Sequence, residues 1–299
     1  MTVFKGLSAF PITPADAEGR VILPDLWRIL QRVADGQPDS ICVLGSTGAY
    51  AYLDPDQRRA VAEAAMDQVG SRVPVIVGVG ALRTDTAVDL ARHAARIGAA
   101  GLLVAPMSYT PLTEDEVFHH FAAIAAASDL PICIYNNPGT THFTFSTALL
   151  ARLATLPTVR AVKMPLVASG DFAGQIAELR AALPDGFSIG YSADWGCAPA
   201  MLAGADAFYS VAAGLWPHPM LRMVSAAQRG DAAEVGRIDA ALAPLWALFK
   251  TRSSFRTVHR AANLLELTTA QPPRPVLPLP EAEDDALRAA IATLDAHQH

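Results

Sequence analysis

Val159-Arg160-Ala161-Val162-Lys163-Met164-Pro165 is a short apolar run that ends on a lysine and is closed by a proline. It is too short for a typical helix, and it lacks the alternating polarity of a sheet with one wet face. Runs of the same kind recur at 3–10, 40–44, 73–79, 101–105, 131–135, 187–190 and 207–211, which makes eight with 159–163. Amphipathic stretches separate them. Continuous apolar strands alternating with helices indicate a parallel sheet covered on its outer face. Eight such units within residues 1–218 predict a (β/α)8 TIM barrel. An open doubly wound sheet is the alternative, but no run is followed by a glycine-rich dinucleotide fingerprint.

Helix starts are written between the runs. Asp54 precedes Pro55 at a first helical position, and Thr113 stands three residues before Glu116 as in a capping box. Thr84 is expected to cap a helix over 85–97 that Gly98 ends. Past residue 218 the strand signals stop. Helices are predicted over 221–229, 232–250, 255–267 and 281–299, with a proline-rich loop at 271–280. The expected organisation is a barrel over 1–218 and a C-terminal helical extension over 219–299. That extension is too small to bury much surface alone and is expected to pack on the barrel.

Composition narrows the function. Apolar residues make up 52% of the chain and charged ones 17%, which is ample material for a large core. A net charge of −6 argues against nucleic acid or an anionic membrane as partner. Cys42, Cys133 and Cys197 have no metal-ligand spacing and read as reduced core thiols of a cytoplasmic protein. No signal-peptide pattern opens the chain. The longest apolar stretch, 97–107, is broken by glycine and proline and is too short to span a bilayer.

In a (β/α)8 barrel the active site lies at the C-terminal ends of the strands. Lys163 ends the sixth run, Tyr135 the fifth, and Gly45-Ser46-Thr47-Gly48 follows the second. Burial disfavours the charged form of an amine, and a neutral amine is a nucleophile that can form a Schiff base with a carbonyl. Neighbouring strands lie about 4.8 Å apart, so Tyr135 and Lys163 can reach one small substrate. Each residue also has a plain structural reading: a lysine with its head in water, a hydrogen-bonded core tyrosine, an ordinary turn. His119 and His120 lack a third ligand at metal spacing and read as solvated or interface residues. Asp194 is expected to cap the helix after the seventh strand.

Taken in order, several segments resemble the dihydrodipicolinate synthase/N-acetylneuraminate lyase family of class I, pyruvate-handling aldolases. They are Gly6-Leu7-Ser8-Ala9-Phe10-Pro11-Ile12-Thr13-Pro14, Gly45-Ser46-Thr47-Gly48, Pro74-Val75-Ile76-Val77-Gly78-Val79-Gly80, Tyr135-Asn136-Asn137-Pro138 and the strand-six lysine. The resemblance implies that Lys163 forms the Schiff base and that Tyr135 relays protons to and from the imine. It implies that Ser46 and Thr47 bind the carboxylate of a 2-oxo acid, with the Ser46 hydroxyl joining the relay. It implies, across a one-residue insertion, that Tyr109 reaches into a neighbouring subunit's site, and hence a homo-oligomer, dimer or tetramer. No metal or organic cofactor is implied.

The chain also departs from the family pattern. Ala49 stands for the glutamate that ends the Gly-Thr-Thr-Gly-Glu loop. Thr140 stands for the arginine that grips the second substrate's carboxylate in dihydrodipicolinate synthases. Tyr209 falls where an aliphatic residue is usual beside the lysine, Ser192 falls near a glycine that lines the same pocket, and Met164-Pro165 follows the lysine in place of an acidic or small residue. The expected activity is therefore a Schiff-base lyase that makes or breaks a C–C bond of pyruvate or a related 2-oxo acid, with an aldehyde as partner, and that is a poor dihydrodipicolinate synthase. Two alternatives remain: a dehydratase or hydratase of 2-keto-3-deoxy sugar acids using the same lysine, and a non-catalytic sensor or scaffold.

Overall fold

Ile41-Cys42-Val43 and Val75-Ile76-Val77 are buried throughout, and so is nearly every other strand residue. A segment apolar on both faces must be covered on both, and closing the sheet on itself inside a ring of helices achieves this. The computed structural model describes residues 3–296. Its eight strands form one closed, all-parallel barrel in chain order: β1 (Gly6–Ala9), β2 (Ser40–Val43), β3 (Val75–Gly78), β4 (Gly101–Val104), β5 (Ile132–Tyr135), β6 (Val159–Met164), β7 (Ser188–Ser192) and β8 (Ala207–Ser210). The (β/α)8 TIM barrel expected from the sequence is the fold observed.

The outer helices are α1 (Leu23–Asp35), α2 (Pro55–Val69), α3 (Thr84–Arg96), α4 (Glu114–Ala125), α5 (Pro138–Thr141), α6 (Thr147–Leu153), α7 (Phe172–Ala182) and α8 (Cys197–Leu202). Asp54 caps α2 by accepting from the Gln57 N–H at 2.8 Å. Thr113 and Glu116 form the reciprocal capping box of α4. After β8 comes α9 (Pro217–Gln228), which packs on β1 and α8 as the helix of the eighth unit, so the boundary expected at 218/219 falls inside it; the extension proper comprises α10 (Ala232–Arg252), α11 (Ser254–Leu264) and α12 (Asp284–Ala296). One hydrophobic core runs without interruption from the barrel into these helices. Residues 297–299 of the predicted last helix lie outside the described residues.

Several boundaries differ from the sequence reading. β1 starts at Gly6 rather than residue 3, because Gly6 has φ +70° and the Asp39 carboxylate fills the space its Cβ would take. Asp39 accepts from the Leu7 N–H there at 2.7 Å. β7 runs two residues further than expected, since Tyr191 pairs with Phe208 and Ser192 with Tyr209. Thr84 does not cap α3. It is the first residue of that helix, and its hydroxyl meets His120 Nδ1 at 2.9 Å instead. Neither does Asp194 cap α8, which begins behind Gly196 without a side-chain cap.

The loop after β2 is fixed from below. Leu44 is left-handed at φ +60°, and its carbonyl oxygen lies where a Cβ on Gly78 would be, at 1.9 Å. Only glycine at position 78 admits that approach. Arg58, buried on α2, donates to the Gly78 and Gly80 carbonyls at 2.9 Å each. Burial lowers its guanidinium to about 10, and the Tyr50 ring, 5.4 Å away, lies against it. The turn that carries Ser46 and Thr47 is thereby braced against β3.

Candidate active site

Inward-facing residues of a barrel strand alternate, so Cys133 and Tyr135 share the interior on β5, as do Ala161 and Lys163 on β6. In the ladder Tyr135 is the direct partner of Lys163. Both are buried. The Lys163 ammonium lies 4.0 Å from the Phe10 ring centroid, 4.4 Å from that of Tyr135 and 5.7 Å from that of Tyr209. The lysine head is therefore not snorkelling into solvent; it stands among three rings, whose faces attract a cation.

The phenol of Tyr135 is held at three points. Its oxygen is 2.7 Å from Ser46 Oγ, it accepts from Asn137 Nδ2 at 2.8 Å, and it has a further polar contact with Thr140. Burial alone would raise the phenol. The neighbouring Lys163 charge and the hydrogen bonds of Ser46, Asn137 and Thr140 outweigh burial and leave it below its ordinary value. A phenol so placed can give up and take back a proton more readily than a free tyrosine.

Ser46, Thr47, Tyr135, Thr140, Lys163 and Tyr209 all line one cavity of about 580 Å³. Tyr209 contributes its ring rather than its hydroxyl, which is engaged by Cys133 Sγ at 3.3 Å. Gly190 makes room for that ring: a Cβ there would stand 2.6 Å from Tyr209 Cε2. Behind it Phe10 meets Tyr209 edge to face at 5.9 Å. Tyr109 is not brought into this cavity. It projects from the rim after β4, 97% exposed.

Asp194 also borders the cavity, fully buried. It accepts from the Ser210 hydroxyl and from the Val211 and Ala212 N–H groups at 3.1 and 3.0 Å. A buried carboxylate takes whatever donors lie nearest, and here they are the unpaired N–H groups past β8. Burial nonetheless raises its carboxyl above the ordinary value. Its role is to tie the loop after β7 to the loop after β8.

A model of the dihydrodipicolinate synthetase family matches residues 3–294 of the chain. The chain belongs to that family. A 4-hydroxy-tetrahydrodipicolinate synthase from Pelobacter propionicus is 32% identical over 97% of this chain and 98% of its own. The crystal structure of a dihydrodipicolinate synthase from Agrobacterium tumefaciens is 54% identical, covers 98% of both chains and superposes with a TM-score of 0.96. That of a dihydrodipicolinate synthase from Aquifex aeolicus is 27% identical over 98% of this chain and 99% of its own, with a TM-score of 0.91. Membership makes this protein a carbon–carbon lyase of the class I aldolase type.

Several parts of this member's site carry no signal in the sequence. Phe10 and Asn137 were visible only as motif letters, yet one ring packs on the Lys163 ammonium and one amide holds the Tyr135 hydroxyl. The extension does more than pack on the barrel: Ser253, Ser254 and Phe255 line the cavity. No local pattern announces them, because they reach it by tertiary packing of the turn between α10 and α11.

Proposed function

We propose that the protein forms a Schiff base between Lys163 and the C2 carbonyl of pyruvate or a related 2-oxo acid, and then makes or breaks a C–C bond at C3. The observation that carries this is the Lys163 amine beside a Tyr135 phenol shared with Ser46. The amine adds to the carbonyl carbon, the Tyr135 phenol gives its proton to the departing hydroxyl, and loss of one water leaves a protonated imine beside a tyrosinate. Tyr135, as phenolate, removes a proton from C3, and the electron pair falls back to give the enamine. The enamine carbon bonds to an aldehyde carbon, whose oxygen takes the proton from Tyr135. Water then hydrolyses the imine and frees the lysine; cleavage is the reverse. Ser46 and Thr47 are assigned to the substrate carboxylate, as hydroxyls on the braced turn.

The activity named for the relatives fits this cavity poorly. Aspartate semialdehyde brings a second carboxylate, and at the position of the family's arginine this chain has Thr140. Losing a bidentate charge-assisted pair costs roughly 2–5 kcal/mol, or about 30- to 5,000-fold in discrimination. The Schiff base is tested by borohydride reduction with pyruvate followed by intact mass and peptide mapping. One reduced pyruvyl adduct on Lys163 is expected; no adduct, or an adduct elsewhere, removes the proposal.

A further inference from the structure

We infer that the aldehyde partner is uncharged and carries an aromatic ring. The inference rests on the Schiff-base reading and specifies the other half of the same cavity. Among the described residues that line it, Lys163 is the only cation and Asp194 the only carboxylate. Lys163 is committed to the 2-oxo acid. Asp194 already accepts three hydrogen bonds from Ser210, Val211 and Ala212. No charge is left over to meet a charged acceptor.

Apart from Asn137, Thr140, Ser192, Ser253 and Ser254, what remains of the wall is ring and aliphatic surface. Tyr52 and Phe255 both line the cavity with their rings nearly parallel, centroids 6.5 Å apart and planes 17° from parallel. Tyr52 follows the braced turn after β2, and Phe255 is the second residue of α11 in the extension. Trp195, Leu166 and Met107 add to the same wall. Leu166 is held close, since it fills the space a Cβ on Gly196 would need. Hydroxyls are present at Thr140, Ser253 and Ser254, enough to receive the aldehyde oxygen or a ring substituent. Offset stacking and edge contacts of this kind favour a planar ring over a hydrated polyol. The product class is a 4-aryl-4-hydroxy-2-oxo acid.

Lys250 is the cation that could oppose this reading. It is exposed, 5.9 Å from the Trp195 ring, and is not part of the lining. The test pairs pyruvate with benzaldehyde, hexanal, glyceraldehyde or aspartate semialdehyde and measures kcat/KM for condensation, with borohydride trapping of pyruvate on the same enzyme. Benzaldehyde is expected to lead, ahead of aspartate semialdehyde by about 30-fold or more. Phe255→Leu and, separately, Tyr52→Ala are expected to lower the benzaldehyde-to-glyceraldehyde ratio about fivefold to tenfold. Trapping on Lys163 with glyceraldehyde or hexanal preferred overturns the aromatic subsite and leaves the Schiff base standing. So does aspartate semialdehyde in the lead, whether or not Lys250→Ala abolishes that lead. Absence of any trapped adduct overturns both.

Discussion

Tyr135 and Lys163 divide the work that one site must do. In the proposed mechanism the lysine makes the covalent bond, and the phenol moves protons around it. Removing the phenol oxygen should therefore separate binding from turnover. Tyr135→Phe is expected to keep trapping pyruvate on Lys163 under borohydride while turnover falls about 10²- to 10⁴-fold. Ser46→Ala, which removes one of the contacts holding that oxygen, should slow turnover less. Equal turnover of Tyr135→Phe and the parent would make the tyrosine a packing residue. Both positions were legible in the sequence because each closes an apolar run where barrel chemistry collects. Phe10, Asn137 and the Tyr209–Gly190 pair were not, because a side chain's use as backing or tether depends on what three other strands place opposite it.

At the scale of elements, the strands and the capped helices were the readable part. A run apolar on both faces and an Asp54 or Thr113 cap act within a few residues, so neither waits on the tertiary fold. Thr84 and Asp194 do not cap for the opposite reason: each has a partner far along the chain, His120 and the backbone past β8, that outcompetes the local one. The helix α11, which presents Phe255 to the cavity, contains a buried titrating group of its own. His259 donates through Nδ1 to the Phe255 carbonyl at 2.8 Å, and burial lowers the ring to about 4. Between about pH 6.5 and 4 the unfolded chain takes up a proton that the folded chain refuses, so acidification favours unfolding. The stability is fully present above pH 6.5 and drains as pH falls, by about 2 kcal/mol at pH 5. Unfolding free energies from denaturant titrations at pH 7.5 and 5 should converge in His259→Gln by about that amount relative to the parent. An unchanged acid loss in the variant would place the sensitivity elsewhere.

For the whole molecule, the sequence disclosed the barrel and the existence of an extension but not that the extension closes the cavity. It also left Tyr109 without a place in its own site. That side chain is 97% exposed beside a second cavity of about 210 Å³ bordered by Leu112, His142 and Phe143. A ring and a recess on one surface can satisfy each other across a two-fold axis. In solution at micromolar concentration the mass is expected to be that of a dimer or larger, and Tyr109→Ala should shift it toward the monomer; a parent that is monomeric and fully active would refute this. The junction of α10 and α11 has a different kind of consequence. Ser253, with φ +77°, and its two successors meet the acceptor side of the cavity from outside the barrel. After a gene duplication, drift in those three codons could change which aldehyde is accepted while selection kept the lysine and its tyrosine intact. Diet and chemistry would then be inherited separately, and a library randomised at 253–255 is where new appetites should be sought.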